Sequence, residues 1–303
     1  MGILQSPKMP ARLIVNADDF GLTPGINQAI AELHTAGVLT SATLMANGPA
    51  FADAARIART LPTLGVGAHI VLTDGTPISD PSTIPTLLGS DRRTLRPTLT
   101  AFLAALLTGR IHEDDIYREA LAQIQKLQAA GINPTHLDTH KHTHIFPQVL
   151  RAILRAARGT GIPALRYPFE PRWSATLCAA ATPNPRRLEV RALGLLEPRF
   201  RATLADHPTL HTPDATLGIA ATGTLTASTL NAILQFLPAT APGTEEPATY
   251  ELCCHPGYNT PDLDPIPTRL RTHRNVEREA LLTVIPKFLA RPNATQLIHY
   301  GDL

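Results

Sequence analysis

The feature that most restricts this chain's fold is an alternation of short apolar runs with helical patterns, kept up along its length. "RLIVNA" (12–17) is an apolar run of the kind a sheet buries. After it, Thr23 fits a helix N-cap and Pro24 the first helical position. "INQAIAELHTA" then sets apolar residues at helical spacing up to Gly37, which fits a C-cap. "VLTSATLM" reads as a strand, "AFADAARIART" as a helix and "LGVGAHIVL" as a strand, followed by a Pro- and Thr-rich loop over 73–98. Two helices, "TAFLAALL" and "EDDIYREALAQIQKLQAA", close at Gly131. The strand "THLDTH", the helix "PQVLRAILRAAR" and the strand "PALRYP" follow. Residues 171–215 suggest a helical or irregular insertion, and "ATLGIAATG", "TYELCCH" and "TQLIHYG" read as late strands.

Repeated βα units imply a parallel sheet. Seven or eight of them in 303 residues fit a distorted, TIM-like (β/α) barrel better than a doubly wound sheet. The chain is therefore read as one barrel domain over 1–303, with the insertion at about 171–215. No glycine-rich phosphate loop follows a strand, which removes the usual nucleotide readings. A net charge of +2 offers no footprint for nucleic acid. Three cysteines without framework spacing point to a reducing, cytoplasmic compartment. No apolar run approaches the ~20 residues that span a bilayer. Gly2 and Ser6 match a short myristoylation pattern.

In such a barrel the chemistry gathers at the carboxyl ends of the strands. Asp18 and Asp19 end the first strand, His69 ends "LGVGAH", Arg166 ends "ALR" and His255 ends "YELCCH". Between them, "HLDTHKHTH" puts His136, His140, His142 and His144 into nine residues. Residues two apart on a strand are roughly 6.5–7 Å apart, and a metal–imidazole bond is about 2 Å. A straight strand can therefore give one ligand, or two where it breaks. His136, inside the strand, reads as structural. One carboxylate and two imidazoles from separate strands, with open positions left, describe a catalytic metal site. Cys253 and Cys254, being adjacent, point to opposite faces and read as core.

"NADDFG", "GAHIVLTDGTPIS", "THLDTHKHTHIFPQ" and "ELCCHPGY" resemble, in order and spacing, the motifs of the YdjC-like carbohydrate deacetylases. That family includes deacetylases of chitooligosaccharides. "NADDFGLTPGINQAIAELHTAGVLTSATLMANGPAF" is most similar to the branch associated with hopanoid biosynthesis. The resemblance implies Asp19, His69 and His140 as ligands of one divalent ion, zinc or magnesium. It implies Asp18 as general base, His255 as general acid, and Arg166 as the charge partner that keeps Asp18 ionised. The "CC" before "HPG" departs from the family's larger apolar residues and is expected to alter packing only. The implied substrate is an N-acetylglucosaminyl hopanoid lipid or, alternatively, a chitooligosaccharide.

A lipid substrate implies transient contact with the inner face of the membrane. "LTAFLAALLTGRIH" is the candidate element, through Leu99, Phe102, Leu103, Leu106, Leu107 and Arg110, although the same spacing taken alone fits an ordinary core-packed helix better. A homodimer is left open. Two other classes stay in view: a barrel sugar isomerase or phosphoesterase, and a sugar-lipid binder without activity. An isomerase would more often carry several carboxylate ligands and a lysine, and a binder has no need of an acid and a base.

Overall fold

The computed structural model describes residues 10–179, 181–241, 243–291 and 295–303. The myristoylation pattern at Gly2 and Ser6 lies outside these residues. The first half runs β1 (Arg12–Phe20), α1 (Pro24–Thr35), β2 (Ser41–Leu44), α2 (Phe51–Thr60), β3 (Gly65–Ile70), α3 (Leu99–Leu107), α4 (Glu113–Ala129), β4 (Leu137–Thr139) and α5 (Pro147–Thr160). Three helices follow in the hard-to-read stretch: α6 (Arg172–Cys178), α7 (Asn184–Gly194) and α8 (Glu197–Ala205). The chain ends with β5 (Ala215–Leu217), α9 (Ala227–Gln235), β6 (Thr249–Cys254), α10 (Arg274–Leu289) and β7 (Gln296–Leu297).

Every strand pairing is parallel, in the order β4-β3-β2-β1-β6-β5, with β7 beside the start of β1. Hydrogen bonds carry the ring past β4. Leu137 N donates to Ala164 O at 2.9 Å, Leu165 N to His211 O at 2.9 Å, and Thr216 N to Phe169 O at 3.1 Å. The sheet curls into a distorted (β/α) barrel, as the alternation required.

β1 runs through the middle of the sheet and is buried along almost its whole length, as a parallel strand covered on both faces must be. The helix signals near it are also met. The Thr23 side chain accepts from Ile26 N at 3.3 Å, and Gly37 takes the left-handed φ of 71° that ends α1's turn.

Several expected strands are shorter than their apolar runs. "PALRYP" makes only isolated bridges, because Pro163 and Pro168 have no N–H to give a ladder. "ATLGIAATG" stops after Leu217, where Gly218 turns to φ 89°. "TQLIHYG" yields two strand residues, and "THLDTH" yields three before the chain tightens into a 3-10 segment at His140–Ile145.

Of the two readings open for α3, core packing holds against bilayer contact: Phe102 and Leu106 are buried in the core, Leu99 and Leu103 are half-buried, and Leu107 is 73% exposed. A nine-residue helix of mostly apolar side chains covers the barrel first. No helix among the described residues is long and apolar enough to cross a membrane. Phe102→Ala is expected to cost about 3–5 kcal/mol in urea unfolding. A cost under about 1 kcal/mol would mean the ring is not core.

Candidate active site

Strict alternation along β1 would send two adjacent aspartates to opposite faces. The register of β1 against β2 slips between Ala17 and Phe20, and Asp19 sits at φ 65°, a left-handed conformation that Asp tolerates better than most side chains. This bulge brings both Asp18 and Asp19 to the wall of one cavity of about 640 Å³ at the carboxyl end of the sheet. His140, Lys141, His142, His255 and Arg274 line it as well.

On one side lie the three residues expected as metal ligands. Asp19 Oδ1 is 3.7 Å from His69 Nε2 and 3.4 Å from His140 Nδ1, and the two ring nitrogens are 3.3 Å apart. Oδ1 is buried and has no hydrogen-bond partner, while Oδ2 accepts from Arg274 Nη2 at 2.6 Å. His140 reaches this point because β4 ends at Thr139 and the next turn is left-handed at Lys141 and His142 (φ 59° and 52°). The break thus frees one histidine of the four for the site.

His69 is fixed from behind. Its Nδ1 donates to Asp138 Oδ1 at 2.7 Å, which leaves the lone pair of Nε2 aimed at Asp19 and His140. Burial pulls the His69 pKa down, but the Asp138 carboxylate, with Asp18 and Asp19, outweighs it and the value is raised to about 9. One carboxylate oxygen and two imidazole nitrogens, one of them backed by a carboxylate, fit a divalent ion.

On the other side stands Arg166, wholly buried. Its Nη2 and Nη1 donate to Asp18 Oδ1 and Oδ2 at 2.6 and 2.9 Å. Nη1 also reaches Asp138 Oδ2, while Nε and Nη2 hold Glu251 Oε1 at 2.9 and 2.6 Å. Thr43 and Asn16 add bonds to Asp18 at 3.2 and 3.1 Å. Burial alone would raise Asp18, but Arg166, with His69 and His255, outweighs it and holds the carboxyl far below the ordinary range.

His255 Nε2 lies 3.7 Å from Asp18 Oδ2, and the backbone N of His255 donates to Glu277 Oε2 at 2.6 Å. Burial pushes its pKa down to about 4, against the pull of Asp18 and Asp19. The double cysteine does more than fill space. Cys253 Sγ donates to Asp18 Oδ2 at 3.5 Å, and Cys254 Sγ to Asn16 O at 3.3 Å.

Of the remaining histidines, His136 stacks on Tyr300, with ring centroids 3.7 Å apart and planes 9° apart. A Cβ at Gly67 would stand 2.4 Å from its Cε1, so glycine there makes room for the ring. His144 holds Thr139 Oγ1 at 2.7 Å and Arg166 O at 3.3 Å. His142 lines the cavity.

Asp138, Glu251 and Arg274 escaped the sequence reading. Asp138 and Glu251 left a signal: a carboxylate within a short strand is buried only if it is paired. Arg274 left none, since "RTHRNVERE" looks like the solvated start of a helix.

Residues 12–288 match the family model described as YdjC-like protein. The chain belongs to that family. Over 158 residues it is 42% identical to a carbohydrate deacetylase of Brevibacillus brevis, covering 52% of this chain and 60% of that one. Over 155 residues it is 43% identical to a carbohydrate deacetylase of Geobacillus stearothermophilus, with shares of 51% and 59%. A chitooligosaccharide deacetylase of Salmonella schwarzengrund is 43% identical over 160 residues, with shares of 51% and 58%. The chain thus spans about three-fifths of the length of these curated relatives.

Among solved structures, a proposed cellobiose-phosphate cleavage protein of Enterococcus faecalis superposes with a TM-score of 0.72. It is 25% identical, with 97% of this YdjC-like chain and 98% of that one covered.

Removing the buried guanidinium would leave three carboxylates facing one another. Arg166→Gln is expected to lower stability in urea by about 3–5 kcal/mol. A loss under about 1 kcal/mol would show that the carboxylates do not depend on it.

Proposed function

We propose that the chain is a metal-dependent carbohydrate N-deacetylase that hydrolyses the acetamide of an N-acetylglucosamine-containing substrate to acetate and the free amine. The observation that carries this is the division of two adjacent carboxylates. Asp19 turns an unpartnered oxygen toward His69 and His140, whereas Asp18 is held by Arg166 beside His255. Relatives named as carbohydrate and chitooligosaccharide deacetylases support the reading.

Asp19 Oδ1, His69 Nε2 and His140 Nδ1 would hold the ion, and two imidazoles suit zinc better than magnesium. When bound, the ion polarises the amide carbonyl and lowers the pKa of water. The chain's own groups move the protons. Asp18, anionic throughout the working range, accepts a proton from the attacking water. His255 enters the cycle neutral, because burial keeps its pKa low. It takes that proton across the 3.7 Å gap from Asp18 and passes it to the leaving amine. Asp138 keeps His69 in the tautomer that presents Nε2.

The finer reading gives the sugar a polycyclic, hopanoid-like lipid as its aglycone. Its support is a second cavity of about 170 Å³ next to the first, with which it shares Leu99, Lys141, His142, Arg186 and Glu189. Leu103, Phe146, Phe169, Val190 and Leu193 make it largely apolar. A chitooligosaccharide would offer this lining only its acetyl methyl groups and the C–H faces of its rings, a smaller apolar surface than a polycyclic lipid.

Two experiments test these levels. Asp18→Asn is expected to keep the metal by elemental analysis while acetate release falls by about 10²–10⁴-fold. His140→Ala should lose both metal and activity. Release of the ion by Asp18→Asn would reverse the assignment. For the aglycone, Leu193→Glu should cut turnover of an N-acetylglucosaminyl lipid by about tenfold while a chitooligosaccharide is cleaved nearly as before. Equal losses on both would favour the soluble sugar.

A further inference from the structure

Two arginines are buried at this site, and they spend their donors differently. A guanidinium has five N–H groups and no acceptor. Arg166 engages all three nitrogens with Asp18, Asp138 and Glu251. Arg274, 1% exposed, engages one: Nη2 donates to Asp19 Oδ2 at 2.6 Å. Its Nε and Nη1 are buried without a hydrogen-bond partner, although the residue lines the main cavity. Among the described residues, Asp19 is the one carboxylate within salt-bridge distance of it. Buried donors left without a partner call for an explanation, and a ligand is one.

The chain has made room for this side chain. Arg274 is the first residue of α10, and its carbonyl accepts from Gly257 N at 3.2 Å. A Cβ on Gly257 would stand 3.2 Å from Arg274 Cδ, 3.3 Å from its Cβ and 3.0 Å from Ile26 Cγ1. The glycine of "HPGY" therefore lets the arginine stem pass close behind the loop that delivers His255. Glu277, one turn further along α10, spends Oε2 on His255 N. The acid–base histidine and Arg274 are thus set from the same short stretch of structure.

We infer that Arg274 is a further catalytic residue, whose free N–H groups bind the acetyl oxygen of the substrate and then the carboxylate of the product acetate. This rests on the deacetylase reading. In that reaction the amide C–N bond breaks and a C–O bond forms. Negative charge gathers on the acyl oxygen and leaves on acetate, while the amine takes up a proton. Fixed charged donors aimed at that oxygen stabilise the transition state more than the neutral amide. Asp19 orients the guanidinium through Nη2 and leaves the other nitrogens to the acyl group.

The test uses acetate itself as the probe on zinc-loaded protein. Binding is followed by NMR saturation transfer, zinc by elemental analysis and folding by thermal melting. Arg274→Met removes the donors. Arg274→Lys keeps a charge beside Asp19 without the planar fork, and serves if the first variant folds poorly. Both are expected to keep zinc and to bind acetate about tenfold more weakly. With an N-acetylglucosamine substrate, kcat should fall by about 10²-fold while KM changes little.

Loss of zinc together with activity in Arg274→Lys would overturn the inference and make Arg274 a positioning residue for Asp19. So would wild-type acetate affinity and kcat in that variant, which would leave the deacetylase reading standing. A wild-type protein that cleaves no N-acetyl sugar but binds acetate through Arg274 would overturn the reading instead, and keep the anion site.

Discussion

Everything at the carboxyl end of this barrel depends on one buried guanidinium. Arg166 comes from a segment too proline-bound to form a regular strand, yet it lies where β1, β4 and β6 converge. Each of those strands sends it a carboxylate: Asp18, Asp138 and Glu251. Three acidic groups without water would be intolerable alone, and one arginine without partners equally so. Together they satisfy all five N–H donors. Tyr300 and Thr216 take up Glu251 Oε2 at 2.5 and 3.0 Å, and so extend the network to the end of the chain. Such a cluster costs desolvation and is a poor source of net stability. It does fix positions, because each member has few alternatives.

That fixity is what makes two neighbouring aspartates different. Asp18 and Asp19 share a backbone bulge, a cavity and a residue type. Arg166 takes both oxygens of Asp18, while Arg274 takes one oxygen of Asp19 and leaves the other free. Through Asp138, the Arg166 cluster also reaches the far side of His69 and turns its Nε2 toward that free oxygen. The two aspartates are therefore told apart by their arginines and not by their own chemistry: one has both oxygens held, the other keeps one free. The Cys253 thiol adds a third weak donor to Asp18 and strengthens the same asymmetry.

Much of this could be read from sequence because strand ends are easy to find. An apolar run followed by Asp-Asp, a "GAH", and a "YELCCH" place chemistry at the same end of a parallel sheet. Of the four closely spaced histidines, strand spacing allowed one ligand or a second at a break, and the break falls at His140.

What stayed hidden depends on long-range packing. The bulge that turns Asp18 and Asp19 to one cavity has no local signature. Arg274 lies 255 positions from the aspartate it holds, in a stretch that reads as solvated. α3 stayed ambiguous for the opposite reason. Its apolar spacing is real, but a barrel helix and an interfacial helix share that pattern, and only the burial of Phe102 and Leu106 separates them.

The central claim is that Arg166 keeps Asp18 out of the metal set and leaves Asp19 in it. Anomalous diffraction at the zinc edge, from crystals of the zinc-loaded wild-type protein, tests this most directly. The account predicts one peak at about 2.0–2.2 Å from Asp19 Oδ1, His69 Nε2 and His140 Nδ1, with both Asp18 oxygens still on Arg166. Asp18, Cys253 and His255 also lie close enough to hold an ion. A peak among those three, with Asp18 drawn off Arg166, would contradict it.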